Sequence, residues 1–296
     1  MNHLSSRPKI SGFTIVRNAI KYDYPVVESI QSILPVCDEV VVAVGKSEDD
    51  TLELIRNIPS DKIKILETVW DESLRTGGKV LAAETNKAFD AVSPDADWAF
   101  YIQADEVLHE KYHPVILEAT TRYLHNEEVE GLLFHYTHFY GTYRFVADSR
   151  NWYRHEIRII RNQKDIRSYR DAQGFRRHNR KLRVKLIDAH IYHYGWVKNP
   201  YQQQQKMQDL HVYWSDVAIP RHVLEAKDLY DYGKIDSVTL FQGTHPLVMQ
   251  KRINSADWEV NLDPTVKNLS LKNRILATVE QLTGKRLFEY KNYELI

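Results

Sequence analysis

Residues 40–44 form an unbroken run of small apolar side chains, Val-Val-Val-Ala-Val, and this run constrains the fold more than any other feature of the chain. A continuous β-branched run suits a strand that is covered on both faces, as in a parallel sheet. Shorter apolar runs predict three more strands, at residues 10–16, 63–66 and 98–102. Stretches with helical spacing lie between them, at residues 26–34, 52–58 and 80–89. Alternating strands and helices predict an α/β fold with a mostly parallel central sheet.

The alternation weakens after about residue 130. Three strands are predicted without regular helices between them, at residues 131–136, 156–160 and 182–194. From Pro200 onward the pattern is helical: it includes the polar run Gln202–Gln205, interpreted as a solvated helix face, and is punctuated by Pro220 and Pro246. The last helix is predicted at about residues 267–282, closed by Gly284. We therefore expect one domain over residues 1–200 and a helical C-terminal extension over residues 201–296.

The charge balance and the single cysteine exclude several classes of protein. Lys and Arg number 40, and Asp and Glu also number 40, so the formal net charge is zero. Nucleic-acid binders normally carry a basic excess, so no nucleic-acid partner is expected. Cys37 is the only cysteine, which prevents an internal disulfide and favours a reducing compartment. Residues 1–9 have no apolar signal core, and no transmembrane run of about 18 apolar residues occurs. A cytoplasmic protein with at most peripheral membrane contact is predicted.

Polar residues follow three of the predicted strands. Ligands of open parallel sheets bind at the carboxyl ends of strands, so these residues are the first candidates for a site. They are Arg17 and Asn18, then residues 45–50, then Gln103, Asp105 and Glu106. In the second group Ser47 or Asp49 can instead cap the following helix. Adjacent carboxylates at a strand end are costly without a cation or hydrogen-bond donors, and carboxylate oxygens are ligands that Mg2+ and Mn2+ prefer. Asp105 is the strongest candidate ligand.

Several short segments, taken in order over residues 8–200, resemble a bacterial family 2 glycosyltransferase of the GT-A fold. These segments are residues 15–18, 38–42, 45–51, 78–86, 97–106 and 191–195. The stretch Asp97–Glu106 is similar to the one that carries the family's DXD metal motif, with Gln103 in place of the first aspartate. Ile191–Gly195 is similar to an HYG segment of bacterial members. Ala43-Val44-Gly45 stands where the family usually has an aspartate that reads uracil.

The resemblance implies an activity and a set of site residues. The activity is inverting transfer of a sugar from a nucleotide-sugar donor to a carbohydrate or lipid-linked acceptor, in the synthesis of a cell-surface polysaccharide or lipopolysaccharide. The cofactor is a divalent cation, Mn2+ or Mg2+, held by Asp105 and His193 at the donor diphosphate. The residues expected at the donor are Arg17, Asn18, Gly45, Ser47, Lys79, Asn86 and Gln103.

An inverting transfer also needs a base that takes the proton from the acceptor hydroxyl. Asp171, in a predicted loop on the acceptor side, is the candidate catalytic residue, and Asp148, Glu156 and Asp188 are alternatives. The basic stretch at residues 176–185 is a solvated face or meets an anionic acceptor.

Two other functions stay open at this stage. Residues His109–His113 spell H-E-x-x-H, the zinc metalloprotease signature, although Pro114 disfavours helical geometry at His113. The altered metal motif also allows a non-catalytic module that binds nucleotide sugars or carbohydrate. The aromatic stretch Phe134–Tyr143, with Trp152 and Tyr153, can form either core packing or stacking platforms for sugar rings.

Overall fold

The computed structural model describes residues 7–74, 76–210 and 229–296. Within these residues the main feature is a ten-stranded mixed sheet. Its strands are β1 (Ile10–Val16), β2 (Glu39–Gly45), β3 (Ile63–Thr68), β4 (Trp98–Tyr101), β5 (Glu106–Leu108), β6 (Gly131–Ala147), β7 (His155–Arg161), β11 (Arg183–Val197), β12 (Val238–Leu240) and β13 (Glu294–Leu295). A small antiparallel sheet contains β8 (Ile166–Tyr169), β9 (Gly174–Arg177) and β10 (Arg180–Lys181).

The helices of the first half lie between the strands of the large sheet. The helices of the described residues are α1 (Val26–Ile33), α2 (Thr51–Arg56), α3 (Lys79–Asp90), α4 (His113–Arg122), α5 (Pro200–Leu210), α6 (Gln250–Asn254) and α7 (Leu271–Thr283). Gly284 ends α7 in the left-handed conformation, with φ 67°, as the sequence predicts.

The strand order of the large sheet confirms the predicted α/β class. Its main path runs β13-β11-β6-β7-β4-β1-β2-β3. Strands β4, β1, β2 and β3 are mutually parallel, and β6 and β11 are also parallel, whereas β7 joins the two groups in antiparallel fashion. Every residue of β2 is buried, as its β-branched run requires.

Apolar layers cover both faces of the sheet. On one face, Ile30 and Ile33 of α1 pack with Ile116 of α4 and Trp98 of β4. On the other face, Phe89 of α3 packs against Phe13 of β1 at 5.3 Å between ring centroids. Because both faces are covered, solvent reaches the sheet at its edges and strand ends. These layers leave the carboxyl ends of β1 and β4 available for a site.

The C-terminal region combines helices with two short strands. Strand β12 pairs with β6, and β13 pairs with β11, so this region contributes to the large sheet. The polar run Gln202–Gln205 lies in α5, where Gln203 and Gln204 are buried, at 1% and 7% exposure. The interpretation of that run as a solvated face was therefore wrong at these two positions. Residues 211–228, with Pro220, lie outside the described residues, and the domain boundary at residue 200 stays a prediction.

No helix in the described parts of the chain combines the length and the apolar character that a membrane crossing needs.

Candidate active site

The carboxyl ends of β1 and β4 border a cavity of about 420 Å3. This is the position that open parallel sheets favour for ligands. The later strands and α5 close the other sides. The polar residues that line the cavity include Arg17, Gln103, Asp105, His138, Tyr153, Glu156, Arg158, Asp171, Gln173, His193 and Lys206.

Five of the residues predicted from the sequence meet in this cavity: Arg17, Gln103, Asp105, Asp171 and His193. The guanidinium of Arg17 lies over the ring of Trp70, 5.6 Å from its centroid. The Nε2 atom of Gln103 lies 3.5 Å from the hydroxyl of Tyr101. Residues that are far apart in sequence thus converge on one space.

The predicted donor residues Asn18, Gly45 and Ser47 instead tie two strand-end loops together. The backbone N–H of Asn18 donates to Ser47 Oγ at 3.0 Å, and the backbone N–H of Glu48 donates to the side-chain oxygen Oδ1 of Asn18 at 2.8 Å. Ser47 Oγ donates to the Gly45 carbonyl at 2.9 Å. None of the three is among the residues that line the cavity within the described chain. Their contact with a donor stays a prediction.

Lys79 and Asn86, both on α3, are also outside the set of described residues that line the cavity. Lys79 is exposed at the first turn of the helix. Asn86 Oδ1 accepts a hydrogen bond from the Ser168 amide at 2.8 Å and so joins α3 to β8. For both residues too, donor binding stays a prediction.

The two adjacent carboxylates after β4 have different environments. Glu106 is fully buried and receives two hydrogen bonds from Arg158, at 2.8 Å from Nε and 2.7 Å from Nη2. The Tyr136 hydroxyl donates to the Glu106 carboxylate at 2.6 Å, and the backbone N–H of Gln103 donates to it at 3.0 Å. These donors satisfy Glu106, whereas Asp105 faces the cavity.

Asp105 lies beside two nitrogen groups. Its Oδ2 atom is 3.7 Å from His193 Nε2 and 3.7 Å from Lys206 Nζ. Burial opposes ionisation of Asp105, but the neighbouring His193 and Lys206 outweigh it and hold the pKa of this carboxyl well below its usual range. Asp105 is therefore ionised at neutral pH and offers a carboxylate to the cavity.

Gly195 permits the close approach of Asp105 and His193. A Cβ atom at residue 195 would lie 2.6 Å from Asp105 Oδ2 and 2.6 Å from His193 Nε2. Real Cβ atoms do not approach other atoms so closely, so a side chain here would push both groups away. This contact gives a physical reason for the glycine that closes the His-Tyr-Gly segment.

The donor set at Asp105 fits a divalent cation that is shared with a substrate. Among the described residues no group of three or more His, Cys, Asp or Glu side chains forms a metal site. Cations that bridge nucleotide phosphates usually take one or two protein ligands and complete their shell with phosphate oxygens and water. Asp105 would supply an oxygen ligand to such a cation, and His193, whose Nε2 lies 3.7 Å from Asp105 Oδ2, would supply a nitrogen ligand. The cation itself stays a prediction.

Two further carboxyl groups line the cavity and lack a full set of hydrogen-bond partners. Asp171 Oδ1 and Glu156 Oε2 are buried atoms without a hydrogen bond. Burial raises the pKa of Asp171, and burial raises the pKa of Glu156 to about 8 although Arg158 opposes the shift. Asp171 lies in the tight turn between β8 and β9, where its neighbours Arg170 and Ala172 have positive φ, 57° and 61°. Such strain is often found at functional positions.

Asp148 and Asp188, the other two alternatives for the catalytic base, lie away from the cavity that Glu156 lines. Asp148 accepts hydrogen bonds from Ser237 and from Lys267, and neither it nor Asp188 is among the residues that line the cavity in the described chain.

A second cavity of about 430 Å3 adjoins the first one. The two cavities share Trp152, Tyr153, Glu156 and Gln173. The second cavity is also lined by aromatic and amide side chains from the C-terminal region: Asn273, Phe288, Tyr290, Asn292 and Tyr293. Arg154 contributes its guanidinium, which binds Glu289 through two hydrogen bonds of 2.8 Å. These four shared residues form the boundary at which the two cavities meet.

The basic stretch at residues 176–185 has a structural role in part. Arg177 and Arg180 both bind the buried carboxylate of Glu130. Arg176 donates to the Asn292 carbonyl at 2.8 Å. These arginines stabilise the fold, and contact with an anionic acceptor stays a prediction.

The H-E-x-x-H segment does not have the geometry of a zinc protease helix. His109 has extended backbone angles and precedes a short 3-10 helix, Glu110–Tyr112, whereas His113 begins α4. His109 Nε2 lies 2.9 Å from Thr244 Oγ1, and His113 Nε2 lies 2.9 Å from the Ser32 carbonyl. The two rings therefore have separate packing partners and do not share one face of a helix.

His138 and Lys206 are site residues that the sequence reasoning missed. His138 belongs to the aromatic stretch of β6, where a histidine looks like one more core residue. Lys206 directly follows the glutamine run that was interpreted as solvated. What marks His138 as a site residue is the parallel pairing of β6 with β11, which sets it opposite His193. That register is a tertiary property which periodicity does not reveal.

No family model matches the sequence, and no curated protein matches it. Among solved structures, the chain is similar to S. aureus TarS 1–349 in complex with UDP, at 15% identity and a TM-score of 0.37 over 73% of this chain and 69% of that one. It is also similar to the mannosyltransferase PcManGT from Pyrobaculum calidifontis in complex with GDP-Man and Mn2+, at 18% identity and a TM-score of 0.33 over 43% of this chain and 35% of that one.

A third similar structure is glucosyl-3-phosphoglycerate synthase from Mycobacterium tuberculosis in complex with Mn2+, UDP and phosphoglyceric acid, at 22% identity and a TM-score of 0.29. That match covers 45% of this chain and 43% of the other. Solved glycosyltransferases are thus among the structures to which the chain is similar.

Proposed function

We propose that this protein is a glycosyltransferase that uses a nucleotide-sugar donor. The observation that supports this most strongly is the cavity at the ends of β1 and β4, in which Asp105 Oδ2 lies 3.7 Å from His193 Nε2 and 3.7 Å from Lys206 Nζ. A carboxylate, an imidazole and an ammonium beside each other suit a diphosphate that carries a divalent cation.

The donor diphosphate lies against Asp105 and His193 in this proposal. These two side chains would hold Mn2+ or Mg2+, and the cation supplies charge neutralisation for the leaving diphosphate. The ammonium group of Lys206 lies on the same side of the cavity. Gln103 and Arg17 line the cavity and carry N–H donors that suit the ribose, base or phosphates.

The acceptor approaches through the second cavity. Its exposed aromatic rings, with Phe288 88% and Tyr290 61% exposed, suit stacking against the apolar faces of sugar rings. The amide side chains around them suit sugar hydroxyls. A carbohydrate or lipid-linked saccharide would then reach the donor past Glu156 and Tyr153, which line both cavities.

Asp171 takes the proton from the acceptor hydroxyl in this scheme. Its Oδ1 atom has no hydrogen-bond partner, and its raised pKa brings it closer to that of an effective base at neutral pH. Attack from the side opposite the leaving diphosphate would invert the anomeric centre. Glu156 is the second candidate, supported by its position at the junction of the cavities.

Synthesis of a cell-surface polysaccharide or lipopolysaccharide, in the cytoplasm and with peripheral membrane contact, is the setting that we propose for this reaction. The alternative is a non-catalytic module that binds nucleotide sugars on the same fold. The carboxyl oxygens of Asp171 and Glu156 that lack hydrogen bonds favour an enzyme, because buried polar atoms without partners cost stability and a binding module has no use for a proton acceptor.

A nucleotide-release assay tests the proposal. The protein is incubated with UDP-, GDP-, CDP- and dTDP-sugars, each with Mn2+ and a panel of saccharide acceptors, and the free nucleotide is measured. We expect one nucleotide class to be released, with slow release even when water is the acceptor, and no release by Asp105→Asn. Tight nucleotide-sugar binding with no release under any condition would support the binding module instead.

A further inference from the structure

A chain of hydrogen bonds runs from the backbone of Tyr153 through two histidines to the cation side of the cavity. His138 Nε2 lies 2.8 Å from the Tyr153 carbonyl oxygen. His138 Nδ1 lies 3.1 Å from His193 Nδ1, and His193 Nε2 faces Asp105 Oδ2 at 3.7 Å. Both rings are buried, at 3% and 9% exposure. The order of atoms in this chain restricts where the protons lie.

The carbonyl oxygen of Tyr153 carries no proton, so His138 Nε2 must be the donor in that contact. A contact between two ring nitrogens needs one donor and one acceptor. With its proton on Nε2, the neutral ring of His138 offers Nδ1 as an acceptor. His193 therefore donates from Nδ1, which leaves its Nε2 as the nitrogen that faces Asp105.

The surroundings hold His138 in this orientation. Its ring packs edge-on against Tyr153, at 4.4 Å between ring centroids, and lies tilted against Trp152, at 5.1 Å between centroids. The parallel register between β6 and β11 sets His138 directly opposite His193. A rotation of His138 would break the bond to the Tyr153 carbonyl and disturb both ring contacts.

We propose that His138 is a positioning residue: it fixes the ring and the tautomer of His193 so that the Nε2 lone pair points at the cation position beside Asp105. This inference rests on the proposed function. Histidines that ligate metals usually donate their other ring N–H to a fixed acceptor, and the loss of that acceptor weakens metal binding by about 10–100-fold. Nothing else in the described contacts of His193 Nδ1 supplies that acceptor.

Three variants test this role with Mn2+ and UDP or GDP as probes. His138→Phe keeps a ring and removes both nitrogens. His138→Asn keeps an acceptor oxygen near the position of Nδ1 and serves as the conservative rescue. The control is His135→Phe, which replaces another histidine of β6 that stacks on His190 and is not among the described residues that line the cavity.

Binding of Mn2+, followed by electron paramagnetic resonance with and without nucleotide, should weaken at least tenfold in His138→Phe. It should stay within about threefold of wild type in His138→Asn and His135→Phe. Wild-type affinity in His138→Phe would overturn the inference and leave the proposed function intact. If the wild-type protein binds no Mn2+ and no nucleotide diphosphate, the proposed function fails and the inference fails with it.

Nitrogen NMR of the histidine rings in the metal-free wild-type protein gives a second readout that a purely structural role would not produce. We expect a proton on Nδ1 of His193 and a bare Nδ1 on His138. A bare Nδ1 on His193 would contradict the proposal, and this measurement decides the question even if His138→Phe does not fold.

Discussion

The two sides of the main cavity differ in how completely their charged groups are satisfied. On the donor side, Glu106 is held by Arg158, and Asp105 lies between His193 and Lys206. On the acceptor side, Glu156 and Asp171 each keep a buried oxygen without a hydrogen bond. Satisfied groups fix a geometry, whereas unsatisfied buried carboxyls raise the free energy of the empty site and are available to a substrate. Under the proposed function, this difference suits the first side to positioning the donor and the second side to proton transfer.

The largest expected effect of a substitution is on turnover, at the acceptor side. Asp171→Asn keeps the shape of the side chain and removes the base, so kcat should fall by about 10²–10⁴-fold. The affinity for nucleotide with Mn2+ should stay within about twofold, because Asp171 does not hold the donor. Glu156→Gln is the matched comparison: if it loses turnover while Asp171→Asn keeps it, Glu156 is the base.

The next effect is on stability, at the donor side. Arg158→Met leaves the carboxylate of Glu106 buried without its partner, which should lower the free energy of unfolding by about 3–5 kcal/mol. Denaturant unfolding measures this loss. The control is Arg122→Met, which breaks an exposed pair with Glu118 and should change stability little. An equal loss of unfolding free energy in the two variants would show that the buried pair of Arg158 and Glu106 does not stabilise the fold more than an exposed pair does.

Glu156 should make stability depend on pH in the opposite direction from a paired carboxylate. Burial raises its pKa to about 8, above the ordinary value of 4.5. The folded protein therefore keeps a proton that the unfolded chain releases, so this group's contribution to stability is complete below about pH 4.5 and is lost as the pH rises towards 8. Glu156→Gln should be more stable than wild type at pH 8.5 and similar to it at pH 4.5, as measured by Tm. A destabilised variant at pH 8.5 would mean that the carboxyl is ionised and paired.

A smaller effect is expected at Gly195, where an added Cβ atom would lie close to the side chains of both Asp105 and His193. Gly195→Ala should weaken Mn2+-nucleotide binding about tenfold, because the new methyl group displaces both side chains. Gly233→Ala, at an exposed position, is the control that should bind as wild type. Unchanged affinity in Gly195→Ala would mean that the pair moves freely and is not held for a cation.

Much of the fold, and part of the candidate site, could be predicted from the sequence, because local patterns determine them. The run at residues 40–44 predicts β2, and Pro25 and Gly284 mark helix ends that the structure contains. The rule that ligands bind at strand ends selects Arg17 and Asp105, and both line the cavity.

The remainder depends on contacts between distant residues. The pairing of β6 with β11 sets His138 opposite His193, and no periodicity in β6 indicates that register. Gln203 and Lys206 of α5 are buried, and Lys206 lines the cavity, although their polar neighbours predict exposure. Asn18 and Ser47 have a structural role that local patterns did not reveal, because their hydrogen bonds tie two strand-end loops together.

Calorimetry with UDP, GDP, CDP and dTDP, each with Mn2+ and with EDTA, tests most directly whether the cavity is a nucleotide-sugar donor site. We predict that one nucleotide class binds, that Mn2+ strengthens binding, and that Asp105→Asn removes this gain at unchanged Tm. If no nucleotide diphosphate binds the wild-type protein under either condition, or if Asp105→Asn keeps the full Mn2+ gain, the assignment of the donor site is wrong.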